Sequence, residues 1–577
     1  MPKTGRPARR MLGFLLSLCA GLALGRAPQA GAARDLGALQ PFYRATQLQG
    51  HLIGMGLQEI PDYLTAPDID LAYRPKPGMT REIPFVDTFS INRFLGGYPE
   101  EWLRKLNDWD EALGRRSLDY AVRQANGSLR FRPELIRRRL EPYLAAGYRP
   151  QDITIALENV PWDLSTPGGG PPETGAWGRR SPPGDLEEWA RLIRQFAADL
   201  PAYLGPEAAS AIQFETGVEY DGKASFDASA PEFFRFYEAT DRALHAVLPE
   251  AALSPGEFTG AGTCTPEMPN CVYDTREFLA FAARERLAIP DVPRSLHSFL
   301  DRPANAGPSI TAERALQSYA RLPPVVAEVH QFGLLDEPFG PFGHSGSDTA
   351  ARRANWEFQV LMRLWEGLRP RRVFHWGGFD GTGKLALLNG PGFLRLVLDR
   401  YVGSRGMLLD AQEKGPPRPQ PAEIMAVGFN SEAGAKSDAG SKSEGRSAVI
   451  LSSFSLDAAG PAREVTVTLP PGLLAGGGRP KTIRYRQSEN VHALIRRDLA
   501  GEDNLTPEFA ACPQCLAAPI LMARDADRAR APLRRQWPRY VEAIKETLRW
   551  RQDDPGIARE GTRLRVTLEP NELVIIE

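Results

Sequence analysis

Cysteine, histidine and net charge are all scarce: the 577-residue chain has five Cys, seven His, and 70 basic against 71 acidic residues, a net charge of −1. So even a balance gives no electrostatic basis for nucleic acid or an anionic membrane surface as partner. After the first two dozen residues no apolar run is long enough to cross a bilayer. What is present is globular: 42% hydrophobic and 24% charged residues, with 54 Gly and 51 Pro to punctuate loops. The length exceeds one ordinary core, which implies two or three domains, or one large barrel with an appendage.

The N-terminus reads as an export signal. Lys3, Arg6, Arg9 and Arg10 form a positive region, Met11 to Leu24 an apolar run, and Ala30-Gly31-Ala32 a small-x-small cleavage site. Residues 1–32 are therefore expected to be a signal peptide and the mature protein periplasmic or secreted, as in a bacterium, with no integral membrane segment. Arg9-Arg10 also permits a twin-arginine signal, and Leu16-Ser17-Leu18-Cys19 a lipoprotein box. The first lacks the Phe-Leu pair at the expected offset, and the second has Leu18 where a small residue belongs.

With Cys19 in the signal, the remaining cysteines form two local pairs, Cys264/Cys271 and Cys512/Cys515. Structural disulfides are the natural reading in an oxidising compartment. Zinc is the alternative for Cys512-Pro513-Gln514-Cys515, but no nearby second CxxC or histidine pair completes a site.

From residue 33 to about 404, short β-like runs alternate with amphipathic helical stretches, the pattern of an α/β domain with a parallel sheet. Strands are expected at Ile83 to Phe89, Asp152 to Leu157, Ala211 to Glu215, Ser295 to Phe299, Val325 to Val329 and Arg372 to Trp376. Helices are expected at Pro133 to Ala146, Asp185 to Leu204, Pro231 to Val247 and Ala351 to Leu368. The length fits a (β/α)8 TIM barrel. Residues 405–577 change character. A Gly/Ser/Ala/Lys/Glu tract, Asn430 to Ser447, precedes strand-like Ala448 to Phe454, Glu464 to Leu469, Arg563 to Leu568 and Glu572 to Ile576. This predicts a small β-sandwich-like domain with a helical insertion at about 486–555, in which Trp537 to Trp550 is the clearest helix.

Catalytic groups of parallel barrels stand at the C-terminal strand ends, so carboxylates there come first. Phe214-Glu215-Thr216-Gly217-Val218-Glu219-Tyr220-Asp221 carries Glu219 toward the mouth. Pro323-Pro324-Val325-Val326-Ala327-Glu328-Val329-His330 reads as an apolar strand ending in Glu328. Two such carboxylates suit glycoside hydrolysis with retention, one donating a proton and the other, roughly 5 Å away, attacking the anomeric carbon. For either glutamate alone, the competing reading is a buried structural carboxylate paired with arginine.

The first segment resembles the fourth-strand signature of clan A glycoside hydrolases, above all family 39. There an aromatic and a Glu precede Trp-Asn-Glu-Pro, whose Glu is the acid/base. The likeness continues through Leu253-Ser254-Pro255-Gly256, Ser295-Leu296-His297-Ser298-Phe299, Val326-Ala327-Glu328 and Val373-Phe374-His375-Trp376, with Thr154 to Pro161 similar to the third strand. The resemblance implies a (β/α)8 barrel with Glu219 as acid/base and Glu328 as nucleophile. It further implies His297 near the sugar, Trp376 as a stacking platform, and no metal or organic cofactor. Glu158, Asn159 and His330 join the expected carbohydrate-binding set. Val218 replaces the family's Asn, which bonds the sugar 2-hydroxyl, and Tyr220 replaces its Pro. Either another group makes that bond, the sugar lacks or modifies the hydroxyl, or the site is degenerate. Gly378 to Lys384 imitates a phosphate-binding loop, but Leu385 stands where Ser or Thr must ligate magnesium.

The expected function is hydrolysis of a poly- or oligosaccharide, such as a bacterial exopolysaccharide, by double displacement. The alternative is a catalytically weakened barrel that binds polysaccharide or assists its export.

Overall fold

The computed structural model describes residues 33–46, 91, 93–98, 103, 109–145, 149–165, 179–217, 219–223, 225–256, 258–259, 271–290, 294–299, 303–305, 328–335, 351–376, 389–415, 422–431, 447–456, 460–475, 479–511 and 524–577. The signal segment and the expected strand Ile83 to Phe89 lie outside them.

Strand β1 (Arg34–Ala38) belongs to a second layer described below, and the barrel begins with β2 (Tyr43–Thr46). Next come β3 (Thr154–Ala156), β4 (Gln213–Glu215), β5 (Ala252–Ser254), β6 (Phe258–Thr259), β7 (Arg294–Phe299), β8 (Glu328–Leu335) and β9 (Arg372–Trp376). All pair in parallel, in two arcs. One runs β3-β4-β5, with Ile91 bridged to Ile155 at its edge. The other runs β6-β7-β8-β9-β2 and so joins the last strand to the first.

Helices α1 (Glu134–Ala145), α2 (Leu186–Leu204), α3 (Ala230–His245), α4 (Thr275–Glu285), α5 (Ala351–Gly367) and α6 (Gly390–Arg400) alternate with these strands. Their starts are written locally. Asp185 accepts the amides of Glu187 and Glu188 ahead of α2, and Ser229/Glu232 and Asp274/Glu277 form capping boxes on α3 and α4. In α2, Trp189, Leu192, Ile193, Phe196 and Leu200 recur at helical spacing and are buried. They pack with Phe214, Phe233 and Phe236 in one core.

The second layer comprises β10 (Arg405–Leu409), β11 (Ala411–Glu413), β12 (Glu423–Asn430), β13 (Ser447–Phe454), β14 (Arg463–Thr468), β15 (Lys481–Tyr485), β16 (Arg551–Gln552), β17 (Ile557–Glu560), β18 (Arg563–Leu568) and β19 (Leu573–Ile576). A seven-stranded sheet, β1-β10-β12-β13-β19-β15-β16, faces a four-stranded one, β11-β14-β18-β17. Val449, Leu451, Val574 and Ile576 from the first meet Val465, Val467, Leu564 and Val566 from the second. Between β15 and β16 lie α7 (Val491–Gly501) and α8 (Ala526–Thr547), tied where Asp498 accepts the Tyr540 hydroxyl at 2.9 Å.

The N-terminal boundary at residue 33 needs correction. β1 pairs antiparallel with β10, Arg34 opposite Leu408, so the first described strand completes the second layer and not the barrel. Helix α5 joins the two layers. Its Arg353, Asn355, Glu357 and Gln359 are all fully buried. Glu357 takes Arg353 Nε at 2.7 Å, His375 Nδ1 at 3.0 Å and the Tyr43 hydroxyl on the barrel side. Asn355 Oδ1 accepts Ser452 and Ser453, and Gln359 donates to the Glu423 carbonyl on the sheet side.

Candidate active site

The C-terminal ends of β3 and β4 bring the clearest group of polar side chains together. Beyond β3, Leu157 N still donates to Glu215 O at 2.7 Å, and then the chain turns. Asn159 adopts the left-handed conformation, φ 53°, and its backbone N–H donates to the Tyr220 hydroxyl at 2.8 Å. Its side-chain amide donates to the Arg179 carbonyl at 2.8 Å, and Glu158 Oε1 accepts the Arg93 amide at 3.2 Å. Both Glu158 and Asn159 are buried, and these bonds fix the turn itself. Around it, the Arg179 guanidinium stacks 4.9 Å from the Trp162 ring. The Asp119 carboxylate accepts the Gly97 and Trp162 amides at 2.8 Å each. Burial pushes the Asp119 carboxyl up to about 6, against the pull of those two N–H groups.

Beyond β4, Glu219 occupies a tight turn, its carbonyl accepting Gly222 N at 2.9 Å. It too is left-handed, with φ 56°. Of the described residues from Phe214 to Asp221, Glu219 is the one not buried. Tyr220 beside it is buried and stacked on Phe226 at 4.5 Å. A left-handed conformation costs a non-glycine residue of order 1–3 kcal/mol and persists where the surroundings hold it. Here they hold Glu219, half-buried in an otherwise buried turn, just past the C-terminal end of β4.

Glu328 is elsewhere. It opens β8 and does not end it: its register partner is Arg372, the first residue of β9. The apolar run before it had suggested the opposite. Among the described residues, the pairing runs from Glu328 through Leu335. Glu328 is buried, accepts Arg372 Nε at 2.9 Å and pairs with Arg371. Burial alone would raise its carboxyl, but Arg372, His330 and Arg371 outweigh burial and hold it far below the usual carboxylate range.

His330 is buried between Glu328, 3.0 Å from Nε2, and Glu215, 3.5 Å from Nδ1. Burial lowers its pKa, with Glu328 opposing. These groups line a cavity of about 80 Å³ together with Thr154, Gln213 and Ala252, the first residues of β3, β4 and β5. The same cavity reaches Glu215 and Ser254, the last residues of β4 and β5, so it runs inside the barrel from the N-terminal strand ends, where Glu328 stands beside Arg372.

His297 lies in β7 opposite Gly333, and Trp376 closes β9; the side chains of both, like Val218, are outside the described residues. Cys271 is disulfide-bonded, while Cys264, Cys512 and Cys515 lie outside the described residues. No cluster of three or more metal-ligating side chains occurs among the described residues. Sequence reasoning passed over Arg93, Asp119, Trp162 and Arg179. Among these, only the placement of Arg93 just after the Ile91 bridge carried a strand-end signal.

No family model matches the chain. A curated α-1,4-L-rhamnosidase of Formosa agariphila is 19% identical over 255 residues, 42% of this chain and 50% of that protein. The chain thus matches about half the length of that relative. A monomeric β-xylosidase of Caulobacter crescentus superposes with a TM-score of 0.53 at 15% identity, covering 94% of this chain and 97% of that one. A GH39 enzyme of Xanthomonas axonopodis pv. citri gives 0.50 at 15% identity over 79% and 84%. The fold of this chain is that of the family 39 glycoside hydrolases.

Proposed function

We propose that this protein is an exported glycoside hydrolase acting on a poly- or oligosaccharide, with Glu219 as the acid/base. The observation that carries the reading is Glu219 itself, a half-buried glutamate in a left-handed turn just past β4. A carboxylic acid there can protonate the departing glycosidic oxygen and afterwards activate water. The family fold supports retention through a glycosyl-enzyme, and a bacterial exopolysaccharide remains the substrate class suggested by an exported chain of this kind. The expected disulfides Cys264/Cys271 and Cys512/Cys515 and the signal over residues 1–32 belong to the same proposal.

A second reading has its own observation. Double displacement needs two carboxyl groups about 5 Å apart at one end of the barrel. Among the described residues, strand β8, Glu-Val-His-Gln-Phe-Gly-Leu-Leu, has a single carboxylate, Glu328, and that one is its first residue, paired with the first residue of β9. This favours a weakened barrel that binds polysaccharide. Assay of the purified protein on aryl glycosides and bacterial exopolysaccharides separates the two. The hydrolase reading expects turnover that falls by roughly 100-fold or more in Glu219→Gln. Trapping with a 2-deoxy-2-fluoro glycoside and peptide mapping is expected to label a carboxylate other than Glu328. Saccharide binding without turnover, unchanged in Glu219→Gln, would instead establish the binding protein.

A further inference from the structure

The loop bearing Glu219 contains a pair of exchanged residues. Where the related signature has Trp and Pro on either side of Asn-Glu, this chain has Gly217 and Tyr220. The exchange is steric: a Cβ built on Gly217 would lie 2.6 Å from the Tyr220 ring, so the ring occupies space that any side chain at 217 would need. Behind it, a Cβ on Gly256 would approach the Gly217 carbonyl to 1.9 Å, so the backbone here cannot retreat toward the β5 end. The ring is fixed on its other face by Phe226, stacked at 4.5 Å and 16°. Its hydroxyl accepts the Asn159 N–H at 2.8 Å, in a turn that is itself left-handed. The side chain next to Glu219 thus ties the turn after β4 to the turn after β3.

We propose that Tyr220 is a positioning residue that sets the aim of Glu219, acting through the Asn159 N–H and the close approach of its ring to Gly217. This rests on the hydrolase reading above. The hydroxyl-to-amide bond fixes the separation of the two turns, and the ring fixes the direction in which Glu219 leaves its own. If the bond is lost, the Glu219 turn is free to rotate about the remaining ring contacts. A displaced proton donor has a distinct kinetic signature: it matters for leaving groups that need protonation and not for those that depart as stable anions.

The test is Tyr220→Phe, which keeps the ring and removes the bond, assayed on aryl glycosides spanning leaving-group acidity. The expected result is a roughly 10- to 100-fold fall in kcat/KM, which reports cleavage of the glycosidic bond alone, on poorly activated phenyl leaving groups, with kcat/KM on dinitrophenyl glycosides within about threefold of wild type. Near-UV circular dichroism and thermal melting check that the fold is kept. Gly217→Ala pushes the same ring from the opposite side and is expected to reproduce the selective loss. An equal fall on all leaving groups, or none, in folded Tyr220→Phe overturns the positioning role while leaving the hydrolase reading standing. A wild-type protein inert on every glycoside removes the hydrolase reading, and this inference with it.

Discussion

One imidazole, His330, joins the Glu328 carboxylate at 3.0 Å to that of Glu215 at 3.5 Å, and so links strand β8 to strand β4 across the interior of the barrel. Arg371 and Arg372 close the group from outside. The chain therefore carries two sets of acidic side chains with different work. Glu328, the first residue of β8, and Glu215, the last of β4, are buried and meet at one imidazole, whereas Glu219, four residues beyond Glu215, is half-buried.

Replacing Glu328 by Gln is expected to cost stability and not chemistry. A buried carboxylate is removed from two guanidinium groups and an imidazole, and breaking such a pair costs about 3 kcal/mol. Because the folded pKa lies below the unfolded value, the stabilisation is present above about pH 4 and is lost as pH falls below it. Urea unfolding should show the wild-type advantage in full at pH 7 and reduced at pH 3, with activity per folded molecule unchanged. Loss of turnover at undiminished stability would restore Glu328 as the nucleophile.

The misplacement of Glu328 marks where the sequence stopped being legible. Helices declared themselves: expected and observed spans differ by a residue or two for Leu186–Leu204, Ala230–His245 and Ala351–Gly367, because caps and helical spacing are local signals. The strand Arg372–Trp376 was equally plain. For β8 an apolar run gave no direction along the barrel axis, and a carboxylate at its edge fits either end until the pairing with Arg372 is known. Pairing of β1 with β10 joins residues far apart in sequence and had no local trace. Glu219 was found by its motif, but its left-handed turn and the lock between Tyr220 and Asn159 come from contacts between two loops.

His245, the last residue of α3, is expected to stabilise the protein as a cation. Its Nδ1 lies 2.9 Å from the Asp241 carbonyl and its Nε2 2.8 Å from the Ala251 carbonyl, so both nitrogens face acceptors and both must donate. The Asp241 carboxylate, against the effect of burial, pushes its pKa up to about 9, and the helix C-terminus favours the charge. A raised folded pKa gives stability that is complete below about pH 6.5 and lost as pH rises through about 9. The melting-temperature difference between wild type and His245→Gln should be largest at pH 6 and nearly gone at pH 10. A pH-independent difference would refute the charged form.

Asn355 tests whether α5 unites the two layers. Its Oδ1 accepts the Ser452 hydroxyl at 2.8 Å and the Ser453 amide at 3.2 Å, in a fully buried position. Asn355→Ala removes both bonds but leaves the Ser453 amide on the Glu572 carbonyl at 3.0 Å and the Ser452 hydroxyl near the Asn355 carbonyl at 3.3 Å, so the cost is about 1–2 kcal/mol. If the helix couples the layers, calorimetry should show a single transition at lower temperature. Two separated transitions in the wild type would mean that the layers unfold independently.

Gly256 governs how closely the loops after β4 and β5 approach. At φ 91° an L side chain is already strained, and its Cβ would stand 1.9 Å from the Gly217 carbonyl oxygen, which is backbone and cannot swing aside. The strain in Gly256→Ala alone is of order 1–3 kcal/mol. Relief requires moving the Gly217 peptide, two residues before Glu219. The variant should therefore lose activity beyond what its lowered melting temperature explains, whereas Gly205→Ala, at φ 87° with open space around it, should lose stability alone. Measuring turnover at a temperature where both variants are fully folded distinguishes them. Equal turnover in the two would show that the loop contact between Gly256 and Gly217 has no bearing on the placement of Glu219.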